Sequence, residues 1–298
     1  MPPDVSPVRL AALFWCYKDL EVSLNRLRLL RYYNPAAKIY ALYGGEIKAS
    51  PAFESAFRPL VDDYYCFPHL WDAKRKWEKG DLLIVNWFTT RGAHLDWDTI
   101  VIVQADMLVF GPIQRVFGPV RRGELLLSEL RPIDDIENKW CWTSPENRLA
   151  RRQYEEFIGL LAGSRPHESV QRLCCLFVVA CLPKAFLEKY ASWEHLGSGF
   201  LEYSIPCFAA ARGFQVRRDQ RHEVDWNFGD DTGQSRRPHL SATGSEPPAT
   251  VILGHLLRPA GDRLFHPVNK AFTFDRIGRR WPAWLVFLVS WVRYKRSG

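Results

Sequence analysis

Residues 98–113 constrain the fold more than any other stretch of this chain. Ile100–Val103 is a continuous apolar, mostly β-branched run, which is too short for a helix and typical of a central strand buried on both faces. The run ends at Gln104, Asp106 follows, and apolar residues resume at Met107. A lone carboxylate between two apolar runs costs free energy unless it is solvated or paired.

Two interpretations of Asp106 follow from its position at the end of a strand. In an open α/β sheet, ligands bind at the carboxyl edge of the strands. A hard divalent cation that carries phosphates would account for a carboxylate at this edge. In the alternative interpretation, Asp106 only caps a turn and binds no ligand.

The sequence before this stretch predicts a parallel β-α-β unit. We predict a strand over Val8–Phe14, a helix that starts at Leu20 and ends before Asn34, and a strand over Lys38–Tyr43. The right-handed crossover of such a unit makes the two strands parallel. Tyr17 and Lys18 follow the first strand, so we expect them at the same edge as Asp106. At this edge, the Tyr17 ring can stack on a nucleobase and Lys18 can pair with a phosphate. The alternative is that both residues lie in an exposed loop and bind nothing.

The rest of the chain continues the alternation of strands and helices. We predict further strands over Asp62–Phe67, Glu124–Leu130, Leu173–Leu182, Gln215–Arg218 and Val251–Leu253. We also predict helices over Asp72–Thr90 (straight or bent at Gly80), Pro145–Leu161, Pro183–Tyr190 and Phe208–Arg212. With 298 residues, the chain can form one large α/β domain or two small ones. The apolar fraction of 47% predicts a substantial core and excludes general disorder. We predict one domain over residues 1–278, followed by a tail over 279–298.

The net charge and the cysteines of the chain indicate which classes of partner and which cellular compartment to expect. The net charge of +7 favours anionic partners such as phosphates, anionic lipids or nucleic acid. No recognised nucleic-acid motif accompanies this charge, so we expect no nucleic-acid partner. The seven cysteines include no C-x-x-C pair, and Cys174 and Cys175 lie in an apolar run, which predicts reduced core thiols. Because the N-terminus also lacks a signal-peptide pattern, we expect a cytoplasmic protein.

The stretch that ends in Gln104-Ala105-Asp106 resembles the metal-binding strand end of GT-A glycosyltransferases, where an Asp-X-Asp motif holds a metal ion and a nucleotide-sugar diphosphate. The resemblance implies that Asp106, which matches the last Asp, binds a divalent metal, manganese or magnesium. It implies that Gln104, in place of the first Asp, bonds a ribose hydroxyl without adding charge. It also implies a GT-A-like, Rossmann-type α/β fold with a mixed, mostly parallel sheet flanked by helices. The nucleotide-binding half would end near residue 130, and the acceptor half would follow.

Residues 193–206 form a second informative stretch. Its glycines predict a loop that approaches a ligand closely, and a helix follows from Phe208. The pattern Glu202-X-X-Ile-Pro206 resembles the acceptor-side acidic motif of inverting GT-A enzymes, in which a carboxylate takes the proton of the attacking hydroxyl. The resemblance implies that Glu202 is the catalytic base, with Glu194 as the second candidate. The alternative is a carboxylate that only stabilises a helix N-terminus.

The late part of the chain holds further candidate ligands. GT-A enzymes often supply a late His to the metal and a nearby Lys to the diphosphate, and His266 and Lys270 resemble that pair. His255 is the alternative metal ligand. Residues 228–250 are rich in Gly, Ser and Pro without periodicity, which predicts a mobile lid or disorder.

The tail over residues 279–298 carries a mostly apolar run, 281–292, between basic flanks. As a helix, this run would be about 18 Å long, which is short of the roughly 30 Å hydrocarbon core of a bilayer. Its three tryptophans and its arginines suit the interface of an anionic membrane. We predict peripheral docking on the inner face of the membrane; the alternatives are packing on the domain and a dimer contact.

The leading hypothesis is a metal-dependent glycosyltransferase that moves a sugar from a nucleotide-sugar donor to a hydroxyl of a saccharide or lipid-linked acceptor. A nucleotidyltransferase is the first alternative, but it normally carries a Gly-rich basic loop after the first strand, and residues 15–18 contain no glycine. The second alternative is a non-catalytic nucleotide-sugar-binding or scaffold protein, in which Gln104 marks lost metal binding.

Overall fold

The strands and helices alternate through most of the chain. The computed structural model describes residues 8–163, 170–224, 226, 239–242, 246–271 and 282–297. The strands are β1 (Leu10–Cys16), β2 (Lys38–Tyr43), β3 (Asp63–Cys66), β4 (Thr99–Gln104), β5 (Leu108–Val109), β6 (Leu125–Pro132), β7 (Leu173–Pro183), β8 (Val216–Asp219) and β9 (Leu264–Phe265). The α-helices are α1 (Leu20–Tyr33), α2 (Ser50–Phe57), α3 (Ala73–Glu78), α4 (Gly80–Thr90), α5 (Ile113–Val116), α6 (Arg148–Ala162), α7 (Lys184–Ala191), α8 (Leu201–Ala211), α9 (Ala249–Leu257) and α10 (Ala283–Ser297).

Seven strands form one sheet in the order β3-β2-β1-β4-β7-β6-β8, and β5 pairs with β9 apart from it. β7 runs antiparallel to both of its neighbours, and the other pairs of the sheet are parallel. This mixed, mostly parallel sheet with flanking helices confirms the predicted α/β class. In the register of β1 and β4, Trp15 lies opposite Gln104, so these two strands end side by side.

Alternating side chains of the strands fill a core on each face of the sheet. On one face, Leu13 and Trp15 of β1 belong to a cluster with residues of α4, α7 and α8. On the other face, Phe14 and Cys16 pack with residues of α1 and α2. The alternation explains why β1, β4 and β7 are apolar throughout, because a strand covered on both faces has no solvent side.

The helix that carries Glu202 begins earlier than the sequence pattern predicts. The prediction started it at Phe208, whereas α8 runs from Leu201 to Ala211 with Pro206 inside it. The glycines and the proline suggested a loop, but Leu201 and Ile205 are buried in the core, and their burial outweighs the cost of the proline. Glu202 therefore lies in the first turn of this helix.

Three other predictions of local structure were wrong in detail. The predicted strand over Val251–Leu253 lies in α9, whose Ile252 and Leu256, four residues apart, are buried on one side. The helix predicted from Pro145 starts at Arg148, after Asn147 caps it by accepting a bond from the Ala150 amide. The helix predicted over Asp72–Thr90 is divided into α3 and α4 on either side of Lys79, next to Gly80, where the sequence had suggested a bend.

Gly80 is required where α4 crosses the end of β1. A Cβ atom at this position would lie 2.4 Å from the Trp15 ring. Only glycine lets the helix approach the tryptophan this closely, so this junction fixes Trp15 at the edge of the sheet.

The tail forms α10, which packs on α9. Val286 and Phe287 are buried in a small cluster that includes Phe110 and Leu256. In the described part of the chain, no helix combines the length and the apolar character needed to cross a bilayer. Part of the apolar surface that suggested a membrane contact thus lies against the domain, and docking on a membrane stays a prediction.

A chain that ends at Gly278 is expected to unfold at a lower urea concentration than the full chain. It loses the buried side chains of Val286 and Phe287, each of which contributes about 1.5–3 kcal/mol to the free energy of unfolding. Val292→Ala is the control, because Val292 is 40% exposed. Equal urea midpoints for the full and shortened chains would show that α10 does not support the fold.

Candidate functional site

The carboxyl ends of β1 and β4 open into two adjoining cavities. The larger, about 770 Å³, extends from these strand ends to β7 and α8. The smaller, about 220 Å³, lies beside the start of α1. Both cavities are lined by Trp15, Tyr17, Lys18, Gln104, Asp106 and Asn269, and the larger one also by Glu202 and His266. Six of the nine predicted site residues therefore meet at one edge of the sheet.

Asp106 and His266 face each other across this edge. The Nε2 atom of His266 lies 3.4 Å from Oδ1 of Asp106. The Nδ1 atom of His266 donates a hydrogen bond to the Ser241 carbonyl at 2.6 Å, and this bond orients the ring. The Val268 amide donates to the Asp106 carbonyl at 2.8 Å, which ties the two segments together.

The electrostatics of this pair favour opposite charges. Burial alone would raise the pKa of Asp106, but the neighbouring His266 outweighs burial and holds the pKa below its usual value. Burial alone would lower the pKa of His266, but Asp106 and the Ser241 carbonyl outweigh it and raise the pKa. Asp106 is therefore ionised at neutral pH and can bind a cation.

The donor set of this pair fits a divalent ion that arrives with phosphates. A carboxylate and a neutral imidazole are both ligands that manganese accepts, so His266 would release its Nε2 proton when the ion binds. Gln104 donates from Nε2 to the Phe177 carbonyl at 2.8 Å, so its amide oxygen is the group left to accept a bond in the cavity. Two protein ligands with a single negative charge hold an ion weakly, and the remaining ligands would be diphosphate and water oxygens.

Phe177 of β7 links the two sides of the larger cavity. Its carbonyl accepts the bond from Gln104, and its amide donates to Oε1 of Glu202 at 2.9 Å. Because both side chains bond the same residue of a central strand, Phe177 ties Glu202 to Gln104 at the end of β4.

Glu202 is a carboxylate whose pKa lies near neutrality. Burial raises its pKa to about 7, and the bond from the Phe177 amide opposes this shift only in part. A carboxylate with a pKa near neutral pH is suited to proton transfer. Lys79 fixes the loop before α8, because its Nζ atom donates to the carbonyls of Gly197 at 2.8 Å and Gly199 at 2.7 Å.

Aromatic side chains form a wall of the larger cavity that the sequence did not assign to the site. Trp142 stacks on Phe200 with ring centres 4.0 Å apart, and Trp77 lies 5.6 Å from Trp142. Trp77 is 46% exposed, which is unusual for a side chain of this size. The two tryptophans of the polar segment 134–142, Trp140 and Trp142, were the signal in the sequence that pointed to this wall.

Three predicted site residues lie away from the cavity lining. Glu194 is 82% exposed and lies 3.4 Å from His195. Lys270 is 55% exposed and lies 3.3 Å from Glu246. His255 lies near Asp262 and His239 instead of Asp106. Of the predicted lid, residues 228–238 and 243–245 lie outside the described residues.

Two solved structures are similar to this chain. A galactosyltransferase, LgtC, in complex with donor and acceptor sugar analogs matches over 94% of this chain and 95% of its own, with 10% sequence identity and a TM-score of 0.43. A cytidylyltransferase from Leptospira borgpetersenii serovar Hardjo-bovis (strain JB197) matches over 72% of this chain and 77% of its own, with 11% identity and a TM-score of 0.37. No protein-family model and no curated protein sequence matches the chain. Both solved proteins are transferases, but with TM-scores below 0.5 the likeness carries no argument about the activity of this chain.

Proposed function

We propose that this protein is a glycosyltransferase that transfers a sugar from a nucleotide-sugar donor to an acceptor hydroxyl. The observation that carries the proposal is the arrangement around Phe177. A cation-binding pair, Asp106 and His266, and a carboxylate with a pKa near neutrality, Glu202, line one cavity, and Phe177 joins Glu202 to Gln104.

The smaller cavity is suited to the nucleoside of the donor. The Tyr17 ring offers a stacking surface for a base, and the amide oxygen of Gln104 can accept a bond from a ribose hydroxyl. Lys18 lies beside Tyr17, with Nζ 5.5 Å from the centre of its ring, and can pair with a phosphate. These residues lead from the smaller cavity to Asp106, where the diphosphate would lie.

A manganese or magnesium ion held by Asp106 and His266 would neutralise the diphosphate that leaves in the reaction. Asp106 and His266 would hold this ion at the strand ends, beside the larger cavity that Glu202 lines. Glu202 accepts the proton of the acceptor hydroxyl as its oxygen bonds to the anomeric carbon and the diphosphate departs. Attack from the side opposite the diphosphate inverts the anomeric configuration.

The aromatic wall supports sugar transfer over the alternative, nucleotidyl transfer. The faces of Trp77 and Trp142 suit the apolar face of a saccharide, including the sugar of a lipid-linked acceptor. A nucleotidyltransferase normally carries a Gly-rich basic loop after the first strand, and residues 15–18 contain no glycine.

A panel of nucleotide sugars tests the proposal. We expect at least one of them to raise the melting temperature of the protein, by more with manganese than without it. Asp106→Asn should lose the manganese-dependent part of this shift. If no nucleotide sugar shifts the melting temperature while a nucleoside triphosphate does, nucleotidyl transfer becomes the better proposal.

Trp77→Ala is expected to raise the KM for the acceptor about tenfold, with little change in the KM for the donor. A ring that stacks on a ligand contributes about 1 kcal/mol or more beyond its buried area. The matched control is Trp71→Ala, which removes an aromatic ring outside the cavity lining. An equal rise in the KM values for donor and acceptor would show that Trp77 maintains the shape of the cavity and does not contact the acceptor specifically.

A further inference from the structure

A second group of potential metal ligands lies apart from the Asp106–His266 pair. The Nε2 atom of His239 lies 2.7 Å from Oδ2 of Asp262, and Nδ1 of His255 lies 3.3 Å from the same oxygen. One ligand atom from each residue lies within 4.8 Å of the other two. The three residues come from different segments: the strand bridge at 239–241, helix α9 and the loop after it.

The fold holds this group in place independently of any ligand. Arg263 donates to the carbonyls of His255 at 2.9 Å, Gly261 at 2.7 Å and Asp262 at 3.0 Å. A Cβ atom at Gly261 would lie 1.9 Å from the His255 carbonyl oxygen. The loop therefore packs so closely on α9 that only glycine fits at this position. The His239 and His255 rings lie 4.0 Å apart. The group is therefore a preformed arrangement.

The hydrogen bonds define which nitrogen atoms are available. Nδ1 of His255 accepts from the Asp262 amide at 3.3 Å, so its lone pair points toward Asp262. That bond is at the long end of the normal range and is weak. His239 is buried, whereas His255 and Asp262 are partly exposed, so water can reach the space between them.

We propose that His239, His255 and Asp262 bind one zinc ion, separate from the cation of the Asp106–His266 pair. Two imidazoles and one carboxylate with water as the fourth ligand form a common zinc site. Bond lengths near 2.1 Å in a tetrahedron put the ligand atoms roughly 3.4 Å apart. The observed 3.3 Å matches this separation. The 2.7 Å pair is a hydrogen bond from His239 to Asp262, so it needs to open slightly and to release its proton when zinc binds. Two imidazoles favour zinc over manganese or magnesium.

A zinc ion at this site would stabilise the position of His266. The His266 amide donates to the His239 carbonyl at 3.0 Å, and the His266 ring donates to the Ser241 carbonyl. Zinc bound to His239 would hold the segment 239–241 on α9 and so fix the direction of His266. This role rests on the proposed function; zinc binding itself does not.

Equilibrium dialysis of the chelator-treated full chain against zinc, with metal content measured by mass spectrometry, tests the proposal. We expect one equivalent of zinc in the Asp106→Asn variant, in which the first site is disabled. His255→Gln and Asp262→Asn, each made in the same Asp106→Asn background, should lose it. His69→Gln is the control, because His69 is exposed and lies on Trp71 instead of in the group.

Cobalt binding can be measured without a substitution of His239, His255 or Asp262. We expect the Asp106→Asn variant to develop the visible absorption of tetrahedral cobalt, and zinc to abolish this absorption. Zinc that is retained after His255→Gln and Asp262→Asn, or no zinc and no cobalt absorption in the Asp106→Asn variant, would overturn the proposal. The group would then be an ion pair only. Because these outcomes do not depend on sugar transfer, they leave the proposed function to its own test.

Discussion

Asp106→Asn is expected to lower sugar transfer by roughly three orders of magnitude, because a cation at the leaving diphosphate supplies several kcal/mol of transition-state stabilisation. The substitution keeps the shape of the side chain, and the Val268 amide still donates to the carbonyl of residue 106. The fold should therefore survive while the negative charge that faces His266 is lost.

The measurement is turnover of the best nucleotide sugar at saturating manganese, with the melting temperature of each variant as a check on folding. Asp96→Asn is the matched control, since the Asp96 side chain is 73% exposed and pairs with Arg9 at the surface. Turnover equal to that of the wild type, with the same manganese requirement, would exclude Asp106 as the metal ligand.

Glu202→Gln is expected to lower turnover about a hundred-fold to ten-thousand-fold, which is the usual contribution of a general base. Glutamine retains an oxygen that can accept the bond from the Phe177 amide, so the start of α8 should keep its position. The affinity for the donor should change little. A loss of donor affinity with unchanged turnover would make Glu202 a binding residue, and Glu194→Gln is the comparison variant.

Because of Glu202, we expect a rise in pH to increase turnover and to decrease the stability of the fold. Glu202 must be ionised to accept a proton, so turnover of the wild type should rise as pH passes through about 7. Its pKa in the folded protein lies above the ordinary value of 4.5. Protonation of Glu202 therefore stabilises the fold fully below about pH 4.5, and this contribution is lost as pH rises through about 7.

Thermal unfolding of the wild type and of Glu202→Gln checks this linkage. At pH 8 the variant should melt at the higher temperature, because it removes a buried charge. Near pH 5 the two proteins should melt at similar temperatures. A variant that is less stable than the wild type at pH 8 would show that the charged carboxylate is well solvated in the folded protein.

The strand ends of the first half could be predicted from the sequence because the information there is local. The apolar run Ile100–Val103 and the β-α-β pattern before it brought Tyr17, Lys18, Gln104 and Asp106 to one edge, and the structure places them on one cavity. Parallel strands that are neighbours in a sheet end at the same edge, so the order of elements was enough.

The acceptor side depends on contacts between distant residues, and the sequence could not supply them. The bonds of Phe177 to Gln104 and Glu202 join positions 73 and 25 residues apart, and no local pattern indicates them. The start of α8 was missed because buried apolar residues stabilise a helix that a proline and nearby glycines disfavour. His255 seemed an alternative to His266 by spacing alone, but α9 carries it to Asp262.

A crystal of the full chain, soaked with manganese and the nucleotide sugar that gives the largest thermal shift, tests the central claim most directly. The claim predicts an anomalous manganese peak in coordination distance of both the Asp106 carboxylate and Nε2 of His266, with diphosphate oxygens completing the coordination. Tyr17 should lie against the base, and Glu202 should face the sugar in the larger cavity. A nucleotide sugar bound elsewhere, or manganese bound without contact to Asp106, would contradict the account.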